Sequence, residues 1–139
     1  MNADIVQQFQ QKHESLAGIV HLVDSLDAAA VKIISILEEK KAAKVAMTEL
    51  PLELMQSLEQ RCATTDMNLL KPPFNCAELP GALDSIQAGI TWAAFAIAET
   101  GSLVEFATDD AFRLVSALPL VHIGVFQASD IIETLNQAA

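Results

Sequence analysis

The apolar positions along this chain fall into alternating periods. In residues 3–17 Ile5, Val6, Phe9 and Leu16 recur near one helical face among glutamines, and Gly18 breaks the pattern. Ile19 to Val23 then reads as a short strand. Ser25 suits an N-cap, and Ala28, Val31, Ile34 and Leu37 follow at helical spacing up to Glu38-Glu39-Lys40-Lys41. Lys44 to Met47 predicts a second strand. Pro51 fits a first helical turn, where its missing N–H costs nothing, and Leu54, Met55, Leu58 and Cys62 share a face. Asp66 to Leu70 predicts a third strand, closed by Pro72-Pro73. Residues 80–88 predict a helix that starts at Pro80 or Gly81 and stops at Gly89. Two apolar runs, 94–98 and 102–106, are parted by Glu99-Thr100-Gly101 and read as a tight strand pair. Thr108 or Asp109 caps a predicted helix to about Leu118, with Phe112, Val115 and Leu118 on one side. Leu120 to Phe126 predicts a buried strand, and Ser129 opens a last helix towards Ala139.

Strands alternating with helices at this spacing predict one α/β domain, with a mostly parallel sheet and helices on both faces. No repeat, linker or low-complexity segment interrupts it.

Charge narrows the partners. The chain has 139 residues, a formal net charge of −10 and only eight Lys and Arg, against the basic face that a nucleic acid or an anionic membrane needs. The uncharged stretches Ser85–Ala98 and Leu114–Ser129 are shorter than the ~20 apolar residues of a spanning helix. The amino end has neither the basic start nor the apolar core of a signal peptide. Cys62 and Cys76 stand apart from each other and from any His, so they read as buried thiols in a reducing cytoplasm rather than metal or cluster ligands. The expectation is a cytoplasmic chain with no cofactor of its own.

Glu99, Thr100, Gly101 and Ser102 are the first candidate site. In an open α/β sheet ligands gather beyond the carboxyl ends of the strands, where Glu99 falls directly after an apolar run. Its carboxylate can serve as base, nucleophile or anchor, and Gly101 can adopt a positive φ that exposes backbone N–H groups. The competing reading is a plain turn in which these groups cap the backbone. His122 reads as a core histidine bonded to a backbone carbonyl, or as a ligand contact near a strand end. Arg113 is an anion anchor, or an ion-pair partner of Asp109 or Asp110. His13 and His21 have no matching partners in the sequence. Glycine-rich phosphate loops and the common hydrolase and metalloprotease motifs are absent.

The block GITWAAFAIAETGSLVEF, then Arg113, then SALPLVHIGVF, resembles the LUD-domain family of lactate-utilisation proteins, of the C-component type. The family pattern runs close to G-[IV]-T-G-A-[DE]-[FY]-A-I-A-[ED]-[ST]-G-[ST]-L-V, then an Arg and L-x-P-x-V-H-I. Matches run from Gly89, Ile90 and Thr91 through Phe95 to Val104, and resume at Arg113, Leu118, Pro119, Val121, His122 and Ile123. The resemblance implies a fold similar to the NagB/RpiA/CoA-transferase group. It also implies a role in oxidising L-lactate to pyruvate beside iron–sulfur partner proteins.

Thr91, Glu99, Thr100, Gly101, Ser102, Arg113 and His122 are then the candidate ligand-binding set. Glu99 is the best candidate catalytic residue, by analogy with the glutamate of CoA-transferases. Trp92 stands where the family usually has Gly, and Ala94 where it usually has an acidic residue. The family's later segment, like G-P-S-[KR]-T-[AS]-D-I-E, has no counterpart before Ala139. A short family member without catalysis is therefore a third reading, beside an accessory subunit and a small-molecule binder or enzyme. A sheet edge left open by that shortness would favour a homodimer.

Overall fold

The computed structural model describes residues 3–74, 85–106, 115, 119, 121–134 and 136. The chain divides into two compact units: Met1–Leu22 with Trp92–Phe106 and Gly124–Ala139, and Val23–Thr91 with Ala107–Ile123.

In the second unit the elements are α2 (Leu26–Glu39), β1 (Lys44–Met47), α3 (Leu52–Cys62), β2 (Asn68–Leu70), β3 (Ala88–Trp92) and β6 (Val121–Val125), the last two strands running on into the first unit. Ser25 caps α2 as expected, its Oγ accepting from the Ala28 N–H at 3.0 Å. The buried face of α2 is Ala29, Ala30, Ile33, Ile34 and Leu37, so Val31 turns outward. β1 forms as expected and is an inner strand, with Val45, Ala46 and Met47 fully buried. Its neighbours β2 and β3 both run parallel to it, with Val45 between Leu69 and Ala88. The four-strand order is β2-β1-β3-β6. α3 links β1 to β2 in a βαβ unit, packing Leu54, Leu58 and Cys62 inward. The fold class is α/β with a mostly parallel sheet.

The first unit holds α1 (Ala3–Ser15), β4 (Phe95–Ile97), β5 (Ser102–Val104) and β7 (Ile131–Ile132), with a 3₁₀ turn at Ala128–Asp130. Its sheet order is β5-β4-β7. Val6 and Phe9 of α1 close over Ala96, Ala98 and Ile131, with Ile5, Val20, Leu103, Phe126 and Ala128 around them. The predicted 94–98/102–106 pair is present as antiparallel β4 and β5.

Several expectations are corrected. Ala88 and Gly89 belong to β3 rather than to a helix and its stop; residues 80–84 lie outside the described residues. Gly89 serves close packing there, because a Cβ would run into the Val115 carbonyl oxygen. Ile19–Val23 forms no strand, and Leu16 is exposed beyond the end of α1. The helix expected from Ser129 is a single 3₁₀ turn followed by β7. The branched pair Ile131-Ile132 gains ladder bonds beside Ala96 and Ile97 that a helix would forgo. β6 is only half-buried, with His122 exposed, because it ends the strand order. The helix predicted from Thr108 or Asp109 to Leu118 lies outside the described residues, apart from Val115, which is helical and fully buried.

Candidate functional site

The connection between β4 and β5 is fixed by its backbone. The register pairs Phe95 with Val104, Ala96 with Leu103 and Ile97 with Ser102, leaving Ala98 to Gly101 to reverse the chain. The Gly101 N–H closes this turn onto the Ile97 carbonyl at 2.9 Å. The Ala98 and Glu99 N–H groups donate to the Ile132 and Glu133 carbonyls at 2.8 and 2.9 Å, so the parallel ladder with β7 continues into the turn. Three amides are thereby committed before any side chain is considered.

Gly101 is required twice. Its φ of +68° lies in the left-handed region, and a Cβ would sit 2.8 Å from the His13 backbone nitrogen and 3.0 Å from the Lys12 carbonyl carbon. The last turn of α1 thus rests directly on the turn. His13 completes the contact, its Nδ1–H donating to the Gly101 carbonyl at 2.8 Å across 88 residues of sequence. A carbonyl only accepts, so this bond fixes the proton on Nδ1. The imidazole stacks on Phe9 at 5.4 Å and 16°, and Gly18 leaves room for it where a Cβ would collide. His13, without a partner in the sequence pattern, is in fact the side chain that clamps the turn.

What the turn offers outward is Glu99 and Ser102, both exposed. Thr100 lies between them, partly buried, and its Oγ1 is shielded from solvent with no hydrogen-bond partner among the described residues. Such an atom is uncommon in a folded protein and invites a bound water or ligand. Carboxylate, hydroxyls and a committed backbone together suit recognition of hydrogen-bond donors or of a partner's polar surface.

Thr91 and His122 belong to the second unit. Thr91 is fully buried on β3, and its Oγ1 lies 2.6 Å from Nε2 of His122 on β6. The imidazole is exposed, so it is not a core residue, and its Nε2 meets a side-chain hydroxyl. Thr48, also buried, hydrogen-bonds the Ile90 carbonyl through its backbone N–H at 3.0 Å, continuing the β1–β3 ladder. The predicted site residues thus fall into two groups: Glu99, Thr100, Gly101 and Ser102 in one unit, Thr91 and His122 in the other. Arg113 lies outside the described residues.

Among the described residues no group of three His, Cys, Asp or Glu side chains is placed to hold a metal ion. None of their helices is long and apolar enough to cross a membrane. Burial pushes the Cys62 thiol above its ordinary pKa, which keeps it protonated and unreactive.

The family model of the LUD domain matches residues 6–139, which takes in the clamped turn, the Thr91–His122 pair and α1 with His13. The chain belongs to the LUD-domain family. This family is associated with lactate utilisation. No curated protein and no solved structure matches the chain.

Three participants in the LUD-domain turn escaped the sequence pattern: His13, and the carbonyls of Ile132 in β7 and of Glu133 just after it. The only local trace of His13 was its i,i+4 spacing from Phe9 on the apolar face of α1. Nothing in the sequence linked any of these to the turn.

Proposed function

We propose that this LUD-domain chain is an accessory subunit of a cytoplasmic system oxidising L-lactate to pyruvate, working beside iron–sulfur partner proteins. The family match across residues 6–139 carries the reading. Converting lactate to pyruvate releases two electrons and two protons, and the iron–sulfur partners are the acceptors for the electrons. A turn whose backbone is already bonded, with Glu99 and Ser102 facing outward, supports recognition of a partner or substrate without reorganisation.

The test is a pull-down of the tagged protein from its own cells, with mass spectrometry and an iron assay, beside growth of a deletion strain on lactate. Co-purifying iron–sulfur proteins and lost growth on L-lactate are expected. Recovery of the chain with no iron protein, together with unchanged growth, would overturn the reading.

A second reading rests on Thr100, whose shielded hydroxyl sits in the same turn as exposed Glu99. Here the turn binds an organic acid or acyl-CoA, with Glu99 as its principal group. Calorimetric titration of lactate, pyruvate and acetyl-CoA into the wild type and Glu99→Gln separates the two. Equal binding, or none, by both proteins would remove this second reading.

A further inference from the structure

The linker after α1 presents a feature that the turn does not use. Ile19-Val20-His21-Leu22-Val23 is rich in branched apolar residues, of the composition that forms strands. Yet among the described residues no backbone N–H or carbonyl of these five takes part in a hydrogen bond. Val20 packs against the α1 cluster, whereas Ile19, Leu22 and Val23 are 73, 62 and 47 % exposed, and Leu16 just before them is 63 % exposed. A strand-prone stretch with unmade ladder bonds and an open apolar surface is a template for strand addition.

We propose that the occupant is the same stretch of a second copy, paired antiparallel about His21 in a two-fold symmetric dimer. Three observations select a copy of this chain. The stretch is a palindrome in residue type: antiparallel pairing about His21 sets Ile19 against Val23, Val20 against Leu22 and His21 against its own equivalent, so one surface complements itself. Charge agrees. From Ser15 to Val23 there is no Asp, Glu, Lys or Arg, which makes this a neutral approach for two chains that each carry −10. In this register the flanking Asp24 faces Gly18 rather than another carboxylate.

Area sets the strength. With ~100 Å² for a fully exposed aliphatic side chain, Leu16, Ile19, Leu22 and Val23 offer on the order of 250 Å² of apolar surface. A stable interface buries about 800 Å² per partner. The dimer is therefore a weak one, held by ladder bonds together with this patch.

Sedimentation velocity on the full chain over a concentration series, at about 0.15 M salt, tests it. A reversible monomer–dimer equilibrium with Kd of roughly 10–100 μM is expected. His21→Lys and His21→Glu each set like charges opposite one another and weaken the dimer about ten-fold or more. An equimolar mixture of the two sets Lys against Glu and restores association. His21 is exposed, so both variants keep the fold, which circular dichroism verifies. A chain monomeric at every concentration overturns the proposal, whatever else it binds. So does a dimer indifferent to both variants, or a mixture that fails to reassociate.

Discussion

Gly101→Ala tests the account of the clamped turn most directly, because two separable terms oppose it. At φ +68° an L side chain costs roughly 1–2 kcal/mol. The added Cβ also lies 2.8 Å from the His13 nitrogen and 3.0 Å from the Lys12 carbonyl carbon; both are helix backbone and cannot step aside as a flexible side chain would. Forcing them apart costs a further ~1–3 kcal/mol. The total, about 2–5 kcal/mol, is a large fraction of the stability of a domain this size.

Trp92 is the only tryptophan and lies in the same unit as the turn, so its fluorescence in urea reports the right region. With m of ~2 kcal/mol/M, the midpoint falls by roughly 1–2.5 M. Gly101→Asn separates the terms. Asn tolerates the left-handed region but carries the same Cβ, so it recovers only about 1 kcal/mol of the loss if the helix contact dominates. His13→Ala, which removes the bond to Gly101 and the stack on Phe9, costs ~1–3 kcal/mol. In Gly101→Ala it should cost less, because the helix has already been displaced. A Gly101→Ala midpoint within 0.2 M or so of wild type would refute the claim that α1 rests on the turn.

Other expectations follow from the second unit. Asp27 accepts hydrogen bonds from Arg61 and Ser57, and the Arg61 bond chiefly holds its pKa below the ordinary carboxylate value. A depressed folded pKa gives stability that is present above the unfolded value and lost as pH falls through the folded one. Wild type should therefore exceed Asp27→Asn slightly at neutral pH, and the gap in thermal midpoint should close in acid and shrink in high salt. In a Cys76→Ser background, Cys62 should react with a thiol reagent far more slowly in the native chain than in urea, because burial raises its pKa and blocks access; equal rates would contradict this. Thr91→Val keeps shape but removes the 2.6 Å contact with His122, and should lower stability by about 1 kcal/mol in urea titration.

The sequence made the β4–turn–β5 stretch legible because its signals are local. Small apolar residues stop at a polar group with one glycine, and a four-residue reversal follows from chain geometry alone. β1 was legible for a similar reason, since an inner strand needs an unbroken apolar run. The losses were all tertiary. Ile19–Val23 has strand composition and no partner within the described chain, so local propensity had nothing to pair with. Ser129-Asp130 resembles a helix cap, but the carbonyls of Ile132 and Glu133 are wanted by Ala98 and Glu99. Gly89 reads as a stop and is instead a place where backbone passes close to backbone. His13 has no matching partner in the sequence pattern because its partner lies 88 residues away.

These demands of the fold also sort the residues of the turn. Gly101 is accounted for by φ and by the helix above it, and Ala98 by burial against α1, so neither needs a ligand to explain it. Thr100 is the exception, because a shielded hydroxyl with no partner among the described residues is a cost that those residues do not recover. Thr100→Val therefore discriminates between a turn that is only a turn and one that is used. Valine keeps the shape and removes the polar atom, so the urea midpoint should hold or rise, by up to ~1 kcal/mol in stability. If the hydroxyl contacts a substrate or partner, the same variant loses growth on lactate or capture of its partners while remaining as stable as wild type. Function unchanged in a stable Thr100→Val chain would remove the hydroxyl from the site. A loss of stability above about 1 kcal/mol would show instead that Thr100 is bonded within the fold, refuting the reading of its burial.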